Sequence, residues 1–459
     1  MADKLPARGR CTRIYRWQMH RRLPAPSKIR SLALVATLAG ALLGGPAAAT
    51  AAAAPASSSL LSGVNVEGIG PGSAPGQERA SIVAAHQLHV KIIRVDFPWA
   101  IIEPTQGATD SRALASADRI ITEAAADGIK VSATVGSTPC WDSSAPASLL
   151  RKCVPGRDNA ANRWPPRDDS AYAAFVAFLA QRYNSRLAAI EIWNEPDQAN
   201  EDYFAGPNKV ALYAGVLRAA YPAIKQAAPQ VPVLGGSLVG SNGVFLRKLY
   251  AAGIKGFYDG LSVHFYTLTI AALRATHELQ LSQGDHTPLW LDEFGWSSCW
   301  PRQRVQQDQG CVTSQVQAEN IRNSYRAIAR APYVAAADIY KLQDSPNQDF
   351  GMLTTRGKRK PAFAALAGVS LSPFGSLSPV RLALARKGSS VIASGSGPVG
   401  DFMKLEAFQG RTLRYRALFT LDRFNRYSLK LPAALGTSGL TVKVAQYTVG
   451  QSGVAQRSI

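Results

Sequence analysis

Short apolar runs alternate with longer amphipathic stretches eight times between residues 60 and 370. This alternation is typical of parallel strands joined by crossover helices. Eight such units in roughly 310 residues agree with the number and length of a (β/α)8 TIM barrel, the fold class we predict for this part of the chain. A doubly wound open sheet is the main structural alternative.

Two of the apolar runs have a carboxylate at or just after their carboxyl ends. Residues 187–193 are followed by Asn194, Glu195 and a proline that cannot continue a strand, and residues 289–294 carry Glu293. An isolated glutamate after a strand is more often a helix-terminal charge or an ion-pair partner. Two of them at one mouth of a barrel predict an acid/base pair for glycosidic hydrolysis, and they favour the closed ring.

The motifs around these two glutamates resemble clan A of the glycoside hydrolases. Asn194-Glu195-Pro196 and Glu293-Phe-Gly-Trp296 follow the clan pattern, and residues 94–104 look most like family 39 and its polysaccharide-hydrolase relatives, with family 5 next. The resemblance covers about residues 60–370. It implies a (β/α)8 barrel and a retaining mechanism, with the acid/base after strand four and the nucleophile after strand seven.

The resemblance assigns roles at matching positions. It implies Glu195 as the acid/base and Glu293 as the nucleophile, with Asn194 on the 2-hydroxyl of the sugar. Arg94 is expected beside Glu293, where its positive charge would favour the ionised carboxylate. A core salt bridge is the structural alternative for Arg94.

Further substrate-binding positions follow the same resemblance. His264 and Tyr266 match a His-x-Tyr pattern on one face of strand six, with Tyr266 donating to the nucleophile and His264 buttressing the site. Trp296 is expected to stack on a sugar, although Trp is also a common core residue. After strand eight the clan carries a Trp, and here Tyr340 or Lys341 is expected instead.

The first part of the chain is predicted to be a targeting segment. Residues 1–30 hold nine Lys/Arg and one Asp, and residues 31–45 form a short apolar run followed by Ala-rich sequence. This pattern indicates a signal peptide and leader over residues 1–57, with secretion to the periplasm, cell surface or medium. The run is short for a membrane anchor, so no stable membrane span is expected.

Removal of that segment leaves a net charge of +12 from the original +20. The excess favours an anionic partner such as an acidic polysaccharide or cell-surface polymer, with ordinary compositional variation an equal alternative. No basic helix with interleaved aromatic residues supports a nucleic-acid partner. We expect a monomer.

Four cysteines remain after the leader: Cys140, Cys153, Cys299 and Cys311. An even number in an exported chain indicates disulfides. Three pairings are possible, and the short separations favour Cys140 with Cys153 and Cys299 with Cys311. No Cys-x-x-Cys spacing or histidine cluster supports a metal site, and hydrolysis by two carboxylates requires no cofactor.

The composition changes after residue 370. Residues 371–378 are rich in Ser and Pro, and alternating patterns at 413–421, 427–431 and 440–449 indicate strands. We therefore predict a catalytic barrel over residues 58–369 and a small β-sandwich-like accessory module over residues 370–459. The predicted function is a secreted retaining glycosidase acting on a polysaccharide or oligosaccharide. A non-catalytic carbohydrate-binding or matrix protein on a barrel scaffold is the alternative.

Overall fold

The structure is a computed structural model that describes residues 60–200, 203–266, 269–301, 311–400, 402–436, 438–447 and 454–459. The predicted leader lies outside these residues and stays a prediction. Within the described ranges, none of the helices has both the length and the apolar character that a membrane crossing requires.

Eight parallel strands close into a barrel in sequence order, as predicted. They are β1 (Leu61–Asn65), β2 (Ile92–Asp96), β3 (Lys130–Val135), β4 (Leu187–Ile192), β5 (Val233–Leu238), β6 (Gly260–His264), β7 (Leu289–Phe294) and β8 (Val334–Ile339). The ring closes because β1 pairs with β2 on one side and with β8 on the other. A closed parallel ring rules out the doubly wound sheet.

Helices surround the barrel. They are α1 (Pro75–Gln87), α2 (Trp99–Ile102), α3 (Ser111–Ala126), α4 (Ala147–Leu150), α5 (Asp169–Tyr183), α6 (Lys209–Ala227), α7 (Val244–Ala251), α8 (Thr269–Ser282), α9 (Ser314–Ile328) and α10 (Pro361–Leu371). Three of the longer helices begin at a side-chain cap, where Asp110, Asp168 and Thr313 accept from the free backbone N–H groups of the first turn. Their apolar faces pack on the strands in one continuous hydrophobic core.

The first and last barrel strands meet at a close contact inside the ring. Gly63 lies opposite Asp338 in the β1–β8 register. A Cβ atom at position 63 would lie only 2.0 Å from Asp338 Oδ1, so the Asp338 carboxyl occupies the space that a side chain would need. Burial and the charge of Asp292 raise the pKa of Asp338 well above the usual aspartate range.

Two disulfides fasten the loops after β3 and β7, with the predicted pairing. Cys140 is joined to Cys153, and Cys299 to Cys311. Disulfides of this kind are typical of proteins in oxidising compartments.

The C-terminal region forms two antiparallel sheets, as the alternating patterns predicted. A three-stranded sheet has the order β13-β10-β9, and a four-stranded sheet has the order β12-β11-β14-β15. The strands are β9 (Arg381–Lys387), β10 (Ser390–Ser396), β11 (Met403–Gln409), β12 (Thr412–Phe419), β13 (Arg426–Lys430), β14 (Leu440–Gln446) and β15 (Ala455–Ser458). Their buried side chains form a hydrophobic cluster separate from the barrel core.

Polar contacts attach these sheets to the helical side of the barrel. Asn425 Nδ2 donates to Asn320 Oδ1 at 2.8 Å, and the backbone N–H of Ile270 donates to the carbonyl of Gly400 at 2.8 Å. The last barrel helix, α10, continues to Leu371, two residues beyond the predicted boundary. The division into two domains itself stays a prediction.

Candidate active site

A cavity of about 530 Å³ opens at the carboxyl ends of the barrel strands. Its lining includes Arg94, Asn194, Glu195, Tyr266 and Glu293, which the sequence placed in one site. A second cavity of about 560 Å³ lies on the other side of Glu195 and Tyr266. The barrel therefore brings the predicted site residues to one mouth, with space on both sides of Glu195.

Glu195 is held in an uncommon backbone conformation just after β4. Its φ is +45°, and that of Trp193, two residues earlier, is +70°. Left-handed conformations at such residues cost free energy and are concentrated at functional sites. The Glu195 carboxylate contacts His264 Nδ1 at 2.7 Å through Oε1, and Gln198 donates to its other oxygen. The side chain is therefore fixed in orientation at the edge of both cavities.

Glu293 stands at the end of β7, opposite Glu195. Arg94 Nη1 donates to its Oε1 at 2.7 Å, and the Tyr266 hydroxyl donates to its Oε2 at 2.5 Å. Carboxylate oxygens of Glu195 and Glu293 lie within 4.8 Å of each other. Both glutamates are nearly buried, so their interaction is weakly screened by solvent.

Arg94 connects Glu293 to the barrel interior. Besides Glu293, it donates to Glu191 Oε2 at 2.8 Å, to Asn65 Oδ1 at 2.9 Å and to Asn194 Oδ1 at 2.8 Å. Each of these bonds fixes the planar guanidinium in one orientation. Because the oxygen of Asn194 is engaged by Arg94, its amide nitrogen is the group that can donate to a ligand in the cavity.

Burial and neighbouring charges shift the pKa values of these groups in different directions. Burial raises the pKa of Glu293, although the charges of His264 and Arg94 act to lower it. Burial also raises the pKa of Glu191, to about 7, against the charge of Arg94. Burial lowers the pKa of His264, but Glu293 and Asp292 outweigh it and hold that pKa well above the usual histidine range. His264 is therefore protonated at neutral pH and can donate to Glu195.

His264 occupies the buttressing position expected from the His-x-Tyr pattern. Its Nδ1 contacts Glu195, and its Nε2 lies 2.9 Å from the Ser237 hydroxyl. Asp292 Oδ1 lies 3.5 Å from the same Nε2 atom. The imidazole is almost completely buried, so its contact with Glu195 is its main link to the cavity.

Tyr340 lines the cavity, whereas Trp296 does not. The Tyr340 ring lies edge-on to Tyr266 with centroids 5.8 Å apart, and its hydroxyl donates to Glu67. Trp296 is only 6% exposed and packs edge-on against Phe294 in the barrel core. The sugar-stacking position predicted for Trp296 is therefore corrected, because its ring is used in core packing.

Three carboxylates that line the cavity, Glu67, Asp96 and Asp158, were missed as site residues. Glu67 follows β1 and Asp96 ends β2, and both line the cavity with exposed side chains. Glu67 accepts from Tyr340 and Lys341, whereas no donor among the described residues hydrogen-bonds to the Asp96 carboxylate. The position of Glu67 and Asp96 at the carboxyl ends of strands was the signal that could have identified these two.

The same cluster has the donor types of a metal site. Ligand atoms of Glu195, His264 and Glu293 lie within 4.8 Å of one another. Arg94 and Tyr266 already donate to both oxygens of Glu293, and His264 Nδ1 already contacts Glu195 Oε1 at 2.7 Å. The donor set therefore fits a hydrogen-bonded carboxylate pair better than a cation.

Sequence comparisons give no relative: no family model and no curated protein matches this chain. Solved structures do match. A family 39 glycoside hydrolase from Bacteroides cellulosilyticus WH2 has a TM-score of 0.54 at 17% identity over 82% of this chain and 80% of its own. A family 39 β-xylosidase from Caulobacter crescentus has a TM-score of 0.51 at 18% identity, over 76% of this chain and 81% of its own. The family 39 enzyme from Xanthomonas axonopodis pv. citri has a TM-score of 0.52 at 15% identity, over 88% of this chain and 94% of its own. The chain therefore has the barrel fold of the family 39 glycoside hydrolases in clan A, as its motifs predicted.

Proposed function

We propose that the protein is a secreted, retaining glycoside hydrolase that acts on a polysaccharide or oligosaccharide. Glu293 attacks the anomeric carbon, and Glu195 protonates the departing oxygen. Glu195 then removes a proton from the water that releases the sugar from Glu293. The fold likeness to glycoside hydrolases and the geometry of these two residues support the proposal together.

The separation of the two carboxylates carries the proposal. A retaining pair lies about 5–5.5 Å apart and an inverting pair about 6.5–9.5 Å apart, since the inverting pair must leave room for water. Oxygens of Glu195 and Glu293 lie within 4.8 Å, which favours double displacement. The two residues also have different partners: Glu293 accepts from Arg94 and Tyr266, and Glu195 contacts His264.

The charge of the cavity supports an uncharged or amino sugar at the cleavage position. Its lining holds five carboxylates and two guanidinium groups, and one of these, Arg94, is engaged by Glu191 and Glu293. The Asp96 carboxylate is exposed there. An acidic sugar placed beside Asp96 would meet like charge, which opposes binding. We therefore expect the sugar that occupies this cavity to carry no acidic group, even though the polymer as a whole is expected to be acidic.

Chemical rescue tests the two roles. Glu293→Ala should abolish turnover, because both chemical steps need the nucleophile. Glu195→Ala should still form the glycosyl-enzyme from an aryl glycoside with a good leaving group, since that step needs little acid assistance. Azide needs no general base, so it should restore turnover of Glu195→Ala and give a glycosyl azide of retained configuration. In Glu293→Ala, azide should attack directly and give the inverted product.

The stereochemistry of the products decides between the assignments. Proton NMR of the wild-type reaction should first show the product with the substrate's anomeric configuration, and the opposite anomer would contradict double displacement. Exchange of the two azide products between the variants would reverse the roles of Glu195 and Glu293. Wild-type turnover by both variants would show that neither glutamate is catalytic, whereas an absence of turnover by the wild-type protein across a panel of bacterial and plant polysaccharides would favour the non-catalytic alternative.

A further inference from the structure

The positive charge of the chain is concentrated in the C-terminal sheets. Residues 371–459 contain twelve Lys/Arg and three Asp/Glu, whereas residues 60–370 contain thirty and twenty-seven. The barrel is therefore close to neutral, and most of the excess charge lies far from the acidic cavity in sequence. Such an imbalance within one chain indicates a partner of opposite charge.

One face of the three-stranded sheet carries cations without acids. Arg381 and Lys387 on β9, and Arg426 and Lys430 on β13, alternate with residues that turn inward to the hydrophobic cluster. All four are exposed. None of their side chains has a hydrogen bond or ion pair within the described residues, so their charge is not neutralised by the protein.

The floor between these cations is formed by the middle strand β10, through Ser394, Ser396 and the half-buried Ile392. The register places Ser396 between Arg381 and Arg426, and Ser394 between Ala383 and Ser428. We call this surface the basic face; it comprises the four cations and the other residues of the same sheet side, namely Ala383, Ala385, Ile392, Ser394, Ser396 and Ser428. Neighbouring strands are about 4.8 Å apart, so cations on the two edge strands flank a shallow floor about 10 Å wide.

The composition of the basic face discriminates between possible partners. Its one large apolar side chain, Ile392, is half buried between Ala385 and Lys430, whereas a bilayer-inserting surface requires several exposed apolar or aromatic side chains. The basic face also lacks the aromatic rings on which nucleic-acid bases stack. Serine hydroxyls can both donate to and accept from sugar hydroxyls, and the flanking Arg and Lys groups match carboxylate or sulfate.

We propose that the basic face binds an anionic polysaccharide, with acidic groups at Arg381, Arg426 and Lys430 and sugar hydroxyls on the serine floor. The choice of a glycan rests in part on the proposed glycosidase function of the barrel. Binding on the same chain raises the effective concentration of polymer at the cavity. Because the cavity favours an uncharged or amino sugar, the polymer carries its acidic groups away from the unit being cleaved.

The test compares binding to two anionic polymers with binding to one uncharged polymer. The mature chain with Glu293→Gln, which keeps the polymer intact, is run by affinity electrophoresis in gels containing dextran sulfate, polygalacturonate or uncharged dextran. We expect retardation by the two anionic polymers and none by dextran. The triple variant Arg381→Gln/Arg426→Gln/Lys430→Gln should weaken binding at least tenfold, and raised salt should weaken binding of the parent protein.

A control variant separates the basic face from the overall charge. Lys91, Arg112 and Lys248 are exposed on the barrel and have no ion pair within the described residues. The variant Lys91→Gln/Arg112→Gln/Lys248→Gln has the same net charge as the other triple variant and should lose less than threefold. Equal losses in the two triple variants would overturn the proposal, as would an absence of binding to both anionic polymers.

Further measurements distinguish an anionic polysaccharide from a membrane or nucleic acid as the partner. They also separate the binding proposal from the proposed glycosidase function. Tighter binding to phosphatidylserine vesicles or single-stranded DNA than to the anionic polymers would assign the face to a membrane or nucleic acid and refute our choice. Circular dichroism checks folding, and single variants of Lys430 and Arg426, expected to lose about threefold each, replace the triple variant if it unfolds. With Glu293 intact, the triple variant should hydrolyse a small aryl glycoside at the wild-type rate, so failure of binding and failure of catalysis are read separately.

Discussion

The hydroxyl of Tyr266 offers a direct test of the role proposed for Glu293 as the nucleophile. It donates to Glu293 Oε2 at 2.5 Å, and this bond acts to lower the pKa of Glu293 against the effect of burial. A hydrogen bond to a charged group contributes about 1.5–3 kcal/mol. At about 1.36 kcal/mol per pKa unit, Tyr266→Phe should raise the pKa of Glu293 by about 1–2 units.

The direction in which the pH profile of kcat/KM should shift follows from the form of Glu293 that reacts in the proposed mechanism. Only the ionised carboxylate is a nucleophile, so a higher pKa in the free enzyme moves the acid limb of kcat/KM to higher pH. The assay is the pH profile of kcat/KM with an aryl glycoside that the wild-type protein hydrolyses. We expect the limb of Tyr266→Phe to lie about 1–2 pH units above that of the wild type.

Tyr340→Phe is the matched control. Tyr340 lies edge-on to Tyr266 in the same cavity, but its hydroxyl donates to Glu67 and Gln348 and not to Glu293. Its removal should leave the acid limb in place while affecting KM. A limb that stays unmoved in Tyr266→Phe, or moves to lower pH, would refute the reasoning.

Three further predictions follow from other contacts. Asp96→Asn should raise kcat/KM for an aryl glucuronide relative to the neutral aryl glucoside by about tenfold, or about 1.4 kcal/mol, because it removes like charge; an unchanged ratio would refute the assigned selectivity. Replacing Cys140 and Cys153 together by Ser should lower the free energy of unfolding in urea by about 3 kcal/mol. Burial raises the pKa of Glu78, but hydrogen bonds from Arg119 and two serines outweigh it and hold that pKa below its ordinary value. Its stabilisation is present above about pH 4.5 and lost at lower pH, so Glu78→Gln should cost about 1–3 kcal/mol at pH 7 and less in acid.

The barrel was predictable because each strand is a buried apolar run. The predicted run at residues 289–294 matches β7 to the residue, and the run at 187–193 extends one residue beyond β4. The C-terminal strands were harder. Only Leu382 is fully buried in β9, and β10 is rich in small Ser, Ala and Gly residues, so neither carries a strong pattern of period two.

The site was predicted where a motif spans several residues and missed where one residue stands alone. Glu195 and Glu293 were identified because each lies in an extended pattern at a strand end. Asp96 is a single carboxylate whose exposure in the cavity depends on the closed ring. The direction of the Trp296 ring depends on packing against Phe294 after the strand has ended, and strand periodicity does not fix that direction.

The contact between Gly63 and Asp338 limits how this barrel can vary. The two positions face each other across the seam where the first strand meets the last. The Asp338 carboxyl fills the volume that a Cβ atom at position 63 would enter, so neither position can change freely. Among relatives of this chain, a side chain at position 63 should occur only together with a smaller residue at position 338. We therefore expect positions 63 and 338 to covary, although most of the barrel sequence lies between them.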